Sequence, residues 1–291
     1  MKKLIYERLE PFNFGGLEGQ DYKSAKVIIF PVPYSSTTYW NPGTKDGPRA
    51  LIEASRHLET WDLELKKDIS KCGIYTLDSL APSKNSPQEV MDQIEKVVSQ
   101  ILKDKKFPLI IGGEHSITYG GVKAFAKNKN FSVLQFDAHT DLRAEFEGTK
   151  YHHGAVMRRI YEDLKIPVTQ VGIRSVSEEE VKYIKKSKKE NIFYAPSLPI
   201  EEIVASLKEN VYISFDLDFL DPSIMPSTGT PEPGGFFWYQ ALELLKAVAN
   251  QKNIVGADIV ELSPIPSLPA PDFLAAKLVY KIIGYIFSSL V

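Results

Sequence analysis

The feature that most constrains the fold is a regular alternation between short runs of apolar, mostly β-branched residues and longer segments with helical periodicity. The apolar runs predict six strands: Val27–Val32, Leu109–Ile111, Val133–Phe136, Val168–Ile173, Val211–Phe215 and Ile254–Val260. The periodic segments predict eight helices: Pro48–Leu58, Pro87–Lys103, Ile117–Lys127, Ala155–Leu164, Ser177–Lys186, Glu201–Leu207, Tyr239–Asn250 and Phe273–Leu290. Continuous apolar strands separated by helices are typical of parallel sheets covered on both faces. We therefore predict an α/β protein with three α/β/α layers and a mainly parallel central sheet.

No linker-like segment and no internal repeat interrupts this alternation, so residues 1–291 are expected to form a single domain. The chain has 35 basic and 37 acidic residues, and this balance argues against a nucleic-acid-binding protein. The basic stretch from Lys182 to Lys189 is flanked by glutamates at 178–180 and at Glu190, which favours a solvated helix face.

Cysteine content and terminal segments indicate a cytoplasmic protein without a membrane partner. Cys72 is the only cysteine, which excludes an intramolecular disulfide and a cysteine-ligated zinc site. Near the amino terminus, charges at Glu7, Arg8 and Glu10 leave no apolar region of the kind a signal peptide needs. The apolar stretch Leu278–Val291 contains a lysine and is shorter than the roughly 20 residues of a membrane span. A packed C-terminal helix is therefore expected.

Ionisable residues are concentrated at the carboxyl ends of three predicted strands. The motif GGEHS follows Ile111, DAHTD follows Phe136 and DLD follows Phe215. The candidate metal ligands in these motifs are His115, Asp137, His139, Asp141, Asp216 and Asp218. In open parallel sheets ligands bind at the carboxyl ends of the strands, so we expect these side chains to converge.

Converging carboxylates repel one another, and a cation between them removes that conflict. Aspartate and histidine ligands without cysteine suit Mn²⁺, and they also accept Zn²⁺ or Fe²⁺. Each motif alone has an ordinary structural explanation, such as a helix N-cap or a buried core histidine. Their combination in one α/β chain favours a dinuclear metal site.

The same motifs resemble those of the ureohydrolases, the family of arginases and agmatinases. GGEHS at 112–116, DAHTDLR at 137–143 and SFDLDFLDPSIMPSTGTPEPGG at 214–235 are similar to the metal-binding signatures of that family. The resemblance extends to PVPYSSTTYWNPGTKDGPRAL at 31–51 and GADIVELSP at 256–264, so it covers nearly the whole chain. The N-terminal segment and EFEGTKYHHG at 145–154 are closer to agmatinases than to arginases. An arginase-like fold is implied.

The resemblance also implies roles for single residues. One manganese ion would be held by His115, Asp137, Asp141 and Asp216, and a second by Asp137, His139, Asp216 and Asp218. As catalytic residues it implies Asp141 as the acceptor of the nucleophile's proton, His153 as the proton donor to the leaving amine, and Glu261 as the carboxylate that receives the guanidinium. His153 directly precedes Gly154, as in arginases; the adjacent His152 is the alternative donor.

The implied reaction is hydrolysis of a guanidino group to urea and a primary amine, with agmatine giving putrescine. One departure concerns the substrate tail. In agmatinases of this type the segment after the guanidinium-binding glutamate continues through Tyr-Asp-His, whereas residues 263–269 here read SPIPSLP. Aminopropylagmatine and guanidinobutyrate therefore remain rival substrates, and arginine is disfavoured because no amino-acid-binding loop is evident near 145–151. The family also implies a homo-oligomer, either a trimer or a hexamer.

The segments Asn41–Gly47 and Arg143–His152 are rich in glycine, proline and polar residues, and we expect them to form the pocket mouth. Two other classes of protein remain as alternatives. A dinuclear phosphoesterase would place basic residues beside the metals, but only Arg143 and Arg174 are candidates, and Glu261 would repel a phosphate. A non-catalytic binding subunit would be expected to lose metal ligands, whereas all six are present.

Overall fold

The computed structural model describes residues 9–291 except residues 39, 41, 128, 147 and 188–190. Its strands are β1 (Val27–Val32), β2 (Trp61–Asp62), β3 (Lys67–Asp68), β4 (Ile74–Thr76), β5 (Phe107–Gly112), β6 (Phe131–Phe136), β7 (Val168–Ile173), β8 (Ile192–Tyr194), β9 (Asn210–Asp216) and β10 (Asn253–Val260). Its α-helices are α1 (Gly47–Ser55), α2 (Pro87–Lys103), α3 (Ile117–Phe125), α4 (Val156–Arg159), α5 (Glu178–Ser187), α6 (Ile200–Ser206), α7 (Trp238–Gln251) and α8 (Ala270–Phe287).

Eight strands form the central sheet in the order β4-β1-β5-β10-β9-β6-β7-β8. Every neighbouring pair in this sheet is parallel, which confirms the predicted sheet type. The four central strands are β5, β10, β9 and β6, and their carboxyl ends lie side by side. These are the strands that lead into the polar motifs. The short strands β2 and β3 form a separate antiparallel hairpin.

Two layers of helices cover the sheet. On one face α2, α3, α4 and α5 pack around buried side chains such as Met91, Ile117 and Met157. On the other face α1, α6, α7 and α8 enclose a core that includes Leu245 and Val279. The predicted three-layer α/β/α fold is confirmed, because both faces of every central strand are buried, as continuous apolar runs require.

All six predicted strands are present, but four further strands escaped sequence analysis. β4 and β8 are three-residue edge strands, and β2 and β3 have two residues each, so their apolar runs are too short to show a pattern. The predicted helix Ala155–Leu164 is a single turn of α-helix followed by a π-helical turn at Ile160–Leu164. The solvated-face interpretation of the basic stretch is confirmed within α5, where exposed Lys182 pairs with Glu178; residues 188–190 lie outside the described residues.

The C-terminal helix passes the length and apolarity criteria for a membrane span over Ala270–Leu290, but half of that window is buried inside the fold. Lys281 lies in its middle, and its Nζ contacts Oδ2 of Asp62 at 3.0 Å and Oε2 of Glu64 at 2.6 Å. A lysine that is buried and paired in this way is a feature of a core helix. The predicted packed C-terminal helix is confirmed.

Candidate metal centre and active site

Four adjacent strands position the candidate site. β9 ends in Asp216, Asp137 directly follows β6, and Glu261 directly follows β10, while His115 lies three residues beyond β5. The structure brings all six predicted metal ligands together at this edge of the sheet, in two clusters that share Asp137. Their assignment as ligands stays a prediction.

The first cluster surrounds the imidazole of His115. Its Nδ1 lies 3.1 Å from Oδ2 of Asp137, 3.0 Å from Oδ2 of Asp141 and 3.1 Å from Oδ2 of Asp216. All four side chains are buried, and Nδ1 has no well-formed hydrogen bond. One ring nitrogen carries at most one proton, so it cannot satisfy three carboxylate oxygens, whereas a divalent cation could.

The second cluster contains His139. Its Nδ1 lies 2.9 Å from Oδ2 of Asp218 and 3.6 Å from Oδ1 of Asp137. Asp137 thus directs one oxygen to each cluster. Asp216 contacts the first cluster through Oδ2, while its Oδ1 accepts a 2.9 Å hydrogen bond from the amide of Asp218 and makes no described contact with His139. Asp137 and Asp216 were both predicted to be shared between the two metal ions, and of these two only Asp137 contacts the histidines of both clusters.

The electrostatics of the clusters favour a bound cation. Burial, together with neighbouring carboxylates, raises the pKa of Asp141 to about 7 and raises the pKa of Asp216 well above its usual range. Burial opposes protonation of His115 and His139, but the surrounding carboxylates outweigh it and raise both pKa values well above 6.5. Protons are therefore held where several anionic oxygens meet. Oxygen and imidazole donors without sulfur fit Mn²⁺.

Two of the candidate catalytic residues have left-handed backbone conformations. The φ angle is 52° at Asp141 and 67° at Glu261. Such conformations cost on the order of 1–3 kcal/mol for residues other than glycine and cluster at functional sites. The carbonyl of Asp141 accepts hydrogen bonds from the amides of Met157 and Arg158, so the first turn of α4 holds it in place.

A buried hydrogen-bonded chain supports His115 from behind. Its Nε2 lies 2.9 Å from Oγ of Ser214, which donates a 2.7 Å hydrogen bond to Oδ1 of Asp258. The hydroxyl of Tyr212 donates to Oδ2 of the same aspartate at 2.8 Å. This chain orients Nδ1 toward the carboxylates, as outer partners of metal-binding histidines commonly do. Sequence analysis missed it, although polar residues inside the apolar strands β9 and β10 were a usable signal.

A second support, also missed, reaches Asp137. Nε2 of Gln135 donates a 2.6 Å hydrogen bond to Oδ2 of Asp137, and Gln170 in turn donates to Oε1 of Gln135. Both glutamines are fully buried in neighbouring strands. They stabilise the charged form of the carboxylate that both clusters share.

Glu261 is held at the floor of the same pocket. Its Oε1 accepts a 2.6 Å hydrogen bond from the amide of His115. Burial raises the pKa of Glu261 to about 8, against the opposing effect of that amide. A cationic substrate beside it would favour the charged carboxylate.

The glutamate of the GGEHS motif is structural. Glu114 is fully buried, and its carboxylate accepts hydrogen bonds from Ser116 and from the amides of Ser36 and Thr37. It therefore anchors the loop that follows β1.

The pocket above the clusters has a volume of about 110 Å³. Arg143, Phe146 and His152 line it, so the predicted mouth segment Arg143–His152 is confirmed at these three residues. Residues 144, 145 and 148–151 do not line the pocket, and residue 147 is outside the described residues. For Asn41–Gly47 the prediction was wrong over residues 42–47, which do not line the pocket; Asn41 lies outside the described residues. A Cβ atom at Gly47 would lie 2.4 Å from the carbonyl oxygen of Leu262, so this segment packs beneath the end of β10.

Both adjacent histidines line the pocket, with ring centroids 3.9 Å apart. Nδ1 of His152 accepts a 3.0 Å hydrogen bond from the amide of Gly154, whereas Nδ1 of His153 lies 3.4 Å from Oγ1 of Thr37. Burial lowers the pKa of His152 to about 4 and that of His153 to about 3. His152 thus has a structural role in the loop, and the choice of His153 as proton donor stays a prediction.

The two arginines considered for a phosphoesterase have different positions. The guanidinium of Arg174 donates to the carbonyls of Asp218 at 2.6 Å and Glu232 at 2.8 Å, so it is engaged in holding the loop after β9. Arg143 lines the pocket and lies over the ring of Phe146. One arginine beside a carboxylate-rich site does not favour a phosphate substrate.

Fold and site together define an α/β enzyme with a candidate binuclear metal centre at the carboxyl edge of a parallel sheet. A model of the Arginase family matches residues 25–284, and the chain belongs to this family. It is accordingly a hydrolase that acts on the carbon–nitrogen bond of a guanidino group.

Individual relatives agree with this membership. The chain is 38% identical over 279 residues to the N(1)-aminopropylagmatine ureohydrolase of Synechocystis sp., covering 91% of this chain and 90% of the relative. It is 34% identical over 272 residues to the agmatinase of Pyrococcus horikoshii, covering 91% and 93%. The solved structure of the agmatine ureohydrolase of Thermoplasma volcanium superposes with a TM-score of 0.85 at 32% identity, covering 96% of this chain and 95% of that one.

Proposed function

We propose that the protein is a manganese-dependent agmatinase that hydrolyses agmatine to putrescine and urea. The observation that carries the proposal is the position of Asp137, whose two carboxylate oxygens face the two histidine-containing clusters in the same pocket as Glu261. The proposed ligands of the two Mn²⁺ ions are His115, Asp137, His139, Asp141, Asp216 and Asp218. A pair of such cations, when bound, lowers the pKa of a water molecule toward neutrality and so supplies the nucleophile.

The protein's own residues orient the substrate and transfer the protons. Oε1 of Glu261 is held by the amide of His115, so Oε2 is left to accept a charge-assisted hydrogen bond from the guanidinium. Asp141 faces the same pocket, and its carboxylate accepts the proton of the nucleophile. His153 relays this proton to the departing nitrogen, a typical role for histidine in general acid–base catalysis. The products are urea and a primary amine.

A second substrate, N(1)-aminopropylagmatine, is favoured by a specific observation. Two relatives that carry this name are 38% identical to the chain and two more are 36% and 33% identical, compared with 34% for an agmatinase. The segment after Glu261 also offers no acidic group for a short distal amine. Ser263 in that segment is buried, and its amide donates to the carbonyl of Ser227. Guanidinobutyrate, with its carboxylate tail, would have to be bound by Arg143 at the pocket.

The experiment is a comparison of kcat/KM for urea release by the Mn²⁺-loaded enzyme on agmatine, N(1)-aminopropylagmatine and guanidinobutyrate. The highest kcat/KM on agmatine would support the agmatinase proposal. A kcat/KM at least about tenfold higher on N(1)-aminopropylagmatine, a difference of about 1.4 kcal/mol in activation free energy, would instead assign that compound as the substrate. A preference for guanidinobutyrate would contradict both proposals, because both proposed substrates have a cationic tail.

The cellular location, the pathway and the assembly of the protein are part of the same proposal. We place the enzyme in the cytoplasm, in polyamine biosynthesis, as a single domain of 291 residues that assembles into a homo-oligomer, either a trimer or a hexamer. The cytoplasmic location is supported by Cys72, a free and buried cysteine that fits a reducing compartment. Cell fractionation followed by immunodetection tests the location.

A further inference from the structure

Glu180, on α5, is a buried carboxylate that the proposed reaction does not use. Its side chain lines the active-site pocket, yet the residue is only 5% exposed. Glutamate is rarely buried unless its oxygens have partners. The partners of this carboxylate therefore indicate why it lies beside the candidate metal centre.

Four hydrogen-bond donors surround the carboxylate of Glu180. Its Oε1 accepts from Oγ1 of Thr140 at 2.7 Å and from the amide of Leu142 at 2.9 Å. Its Oε2 accepts from Oγ of Ser177 at 2.6 Å and from the amide of the same serine at 2.9 Å. A carboxylate offers about four lone-pair positions, so these four donors occupy it fully. No acceptor position is left for a substrate, although Glu180 lines the pocket.

The two residues that Oε1 binds lie on either side of Asp141, a candidate metal ligand. The φ angle of Asp141 is 52°, and such a backbone persists in a residue other than glycine only where the surrounding structure holds it. The carbonyl of Thr140 is held as well, by a 2.6 Å hydrogen bond from Nε2 of Gln170. Buried groups thus fix the residue before Asp141 and the residue after it.

The left-handed backbone determines where the side chain of Asp141 lies. In this conformation Oδ2 of Asp141 is 3.0 Å from Nδ1 of His115. Rotation of φ back to a negative value would move the Cβ atom relative to the preceding peptide and take the carboxylate away from the imidazole. The geometry of the first cluster therefore depends on what holds the backbone of residues 140–142.

We propose that Glu180 is a positioning residue that holds Asp141 in the conformation in which it binds a metal ion. The inference rests on the proposed function, in which Asp141 is a ligand of Mn²⁺. Glu180 acts through the two hydrogen bonds of Oε1 and not through its charge. It contacts neither the metal ion nor the substrate, and its role is to keep a ligand within the narrow geometry that a metal site requires.

Equilibrium dialysis of the full chain against Mn²⁺ tests the proposal. Glu180→Ala removes both contacts of Oε1 and should weaken binding of one of the two Mn²⁺ ions roughly 10- to 100-fold, as loss of outer partners does in metal sites. Glu180→Gln can keep its amide oxygen toward Thr140 and Leu142, so its Mn²⁺ affinity should stay within about threefold of the wild type. The glutamine variant should still have a lower thermal midpoint, because the amide of Ser177 loses its acceptor.

Two other variants keep the test decisive. Thr140→Val removes one of the two donors to Oε1 and should weaken Mn²⁺ binding about threefold or more, which tests the proposal even if Glu180→Ala does not fold. The matched control is Glu178→Gln, at an exposed position of the same helix where the glutamate pairs with Lys182. Its Mn²⁺ affinity and thermal midpoint should equal those of the wild type.

Three results would overturn the proposal. Equal losses of Mn²⁺ affinity in Glu180→Gln and Glu180→Ala would show that the charge of Glu180 matters. A lower thermal midpoint of Glu180→Ala with unchanged Mn²⁺ affinity would show a role in stability alone. A KM for agmatine raised about tenfold in Glu180→Gln, at full metal content, would show that Glu180 binds the substrate.

The dialysis also separates this inference from the proposed function. Mn²⁺ affinity is measured without substrate, so the comparison of the Glu180 variants holds whichever guanidino compound the enzyme hydrolyses. A wild type that binds two Mn²⁺ ions but releases no urea from agmatine would contradict the agmatinase proposal alone.

Discussion

The backbone amide of His115 donates a 2.6 Å hydrogen bond to Oε1 of Glu261. This contact joins a candidate metal ligand at the end of β5 to the candidate guanidinium-binding carboxylate at the end of β10, two strands that pair directly. The pairing of β5 and β10 therefore sets the distance between the candidate metal site and the carboxylate that would bind the guanidinium. A fixed distance of this kind gives the precision that catalysis requires.

Replacing Glu261 with glutamine should reduce kcat/KM without reducing metal content. The amide oxygen of glutamine can still accept from His115, but the negative charge opposite the guanidinium is lost. A hydrogen bond to a charged group contributes about 1.5–3 kcal/mol, so kcat/KM should fall on the order of 10- to 100-fold. The measurement is steady-state urea release with metal analysis. The control is Glu209→Gln at an exposed position, and an equal effect in both variants would argue against the assigned role.

Ser214→Ala should weaken metal binding while leaving the fold intact. The substitution removes the link between Nε2 of His115 and the carboxylate of Asp258, and loss of such outer partners typically costs 10- to 100-fold in metal affinity or activity. Equilibrium dialysis against Mn²⁺ measures the effect. Ser132→Ala, in the neighbouring strand β6 and equally buried, is the matched control. Unchanged affinity in the Ser214 variant would show that the chain does not position the imidazole.

Binding of Mn²⁺ should release protons and should tighten as the pH rises. The raised pKa values of His115 and His139 and the pKa of about 7 for Asp141 mean that protons must leave before a cation binds. Without a cation, the imidazolium groups stabilise the fold below about pH 6.5, and this contribution is lost as the pH rises through their raised pKa values. Calorimetric titrations in two buffers of different ionisation enthalpy measure the released protons. An affinity that does not change between about pH 6 and about pH 8, where histidine titrates, would contradict this account.

Replacing His153 with alanine should lower kcat more than replacing His152. Proton transfer by a positioned side chain contributes roughly 10²–10⁴-fold, so His153→Ala should fall within that range at unchanged metal content. His152→Ala removes the hydrogen bond from the amide of Gly154 and should chiefly lower the thermal midpoint. Measuring kcat and the thermal midpoint of both variants shows which of the two histidines transfers the proton. The reverse pattern would assign the proton transfer to His152.

The parts of the site that sequence could predict are those coded by local patterns. The apolar runs that lead into Asp137, Asp216 and Glu261 predict both the strands and the polar residues at their ends. The alternation of these strands with helices predicts a parallel sheet, and the carboxyl ends of parallel strands lie at one edge, where the ligands converge. The hydrogen bonds that support His115 could not be predicted in this way. Ser214 in β9 contacts Asp258 in β10 because the two strands pair, and no single segment of sequence encodes that pairing. The left-handed backbone at Asp141 likewise depends on tertiary hydrogen bonds to α4.

Errors in the prediction arose where composition was a poor guide to position. The glycines of residues 42–47 suggested a mouth loop, yet Gly47 is required by the close approach of Leu262. The exposed apolar side chains of the β2–β3 hairpin gave no signal either, because two-residue strands are too short for a period to be recognised. Both features depend on what lies against the segment in space.

The most direct test of the central claim is urea release from agmatine by the Mn²⁺-loaded enzyme, compared with its Asp137→Asn variant. Asparagine keeps the shape of the shared side chain but removes the charge that faces both clusters. The account predicts stoichiometric urea and putrescine from the wild type. For the variant it predicts a loss of about 100-fold or more, since even outer-shell changes cost up to that much, together with a lowered manganese content. Equal turnover by both proteins, or no urea from a wild type shown to bind two metal ions, would contradict it.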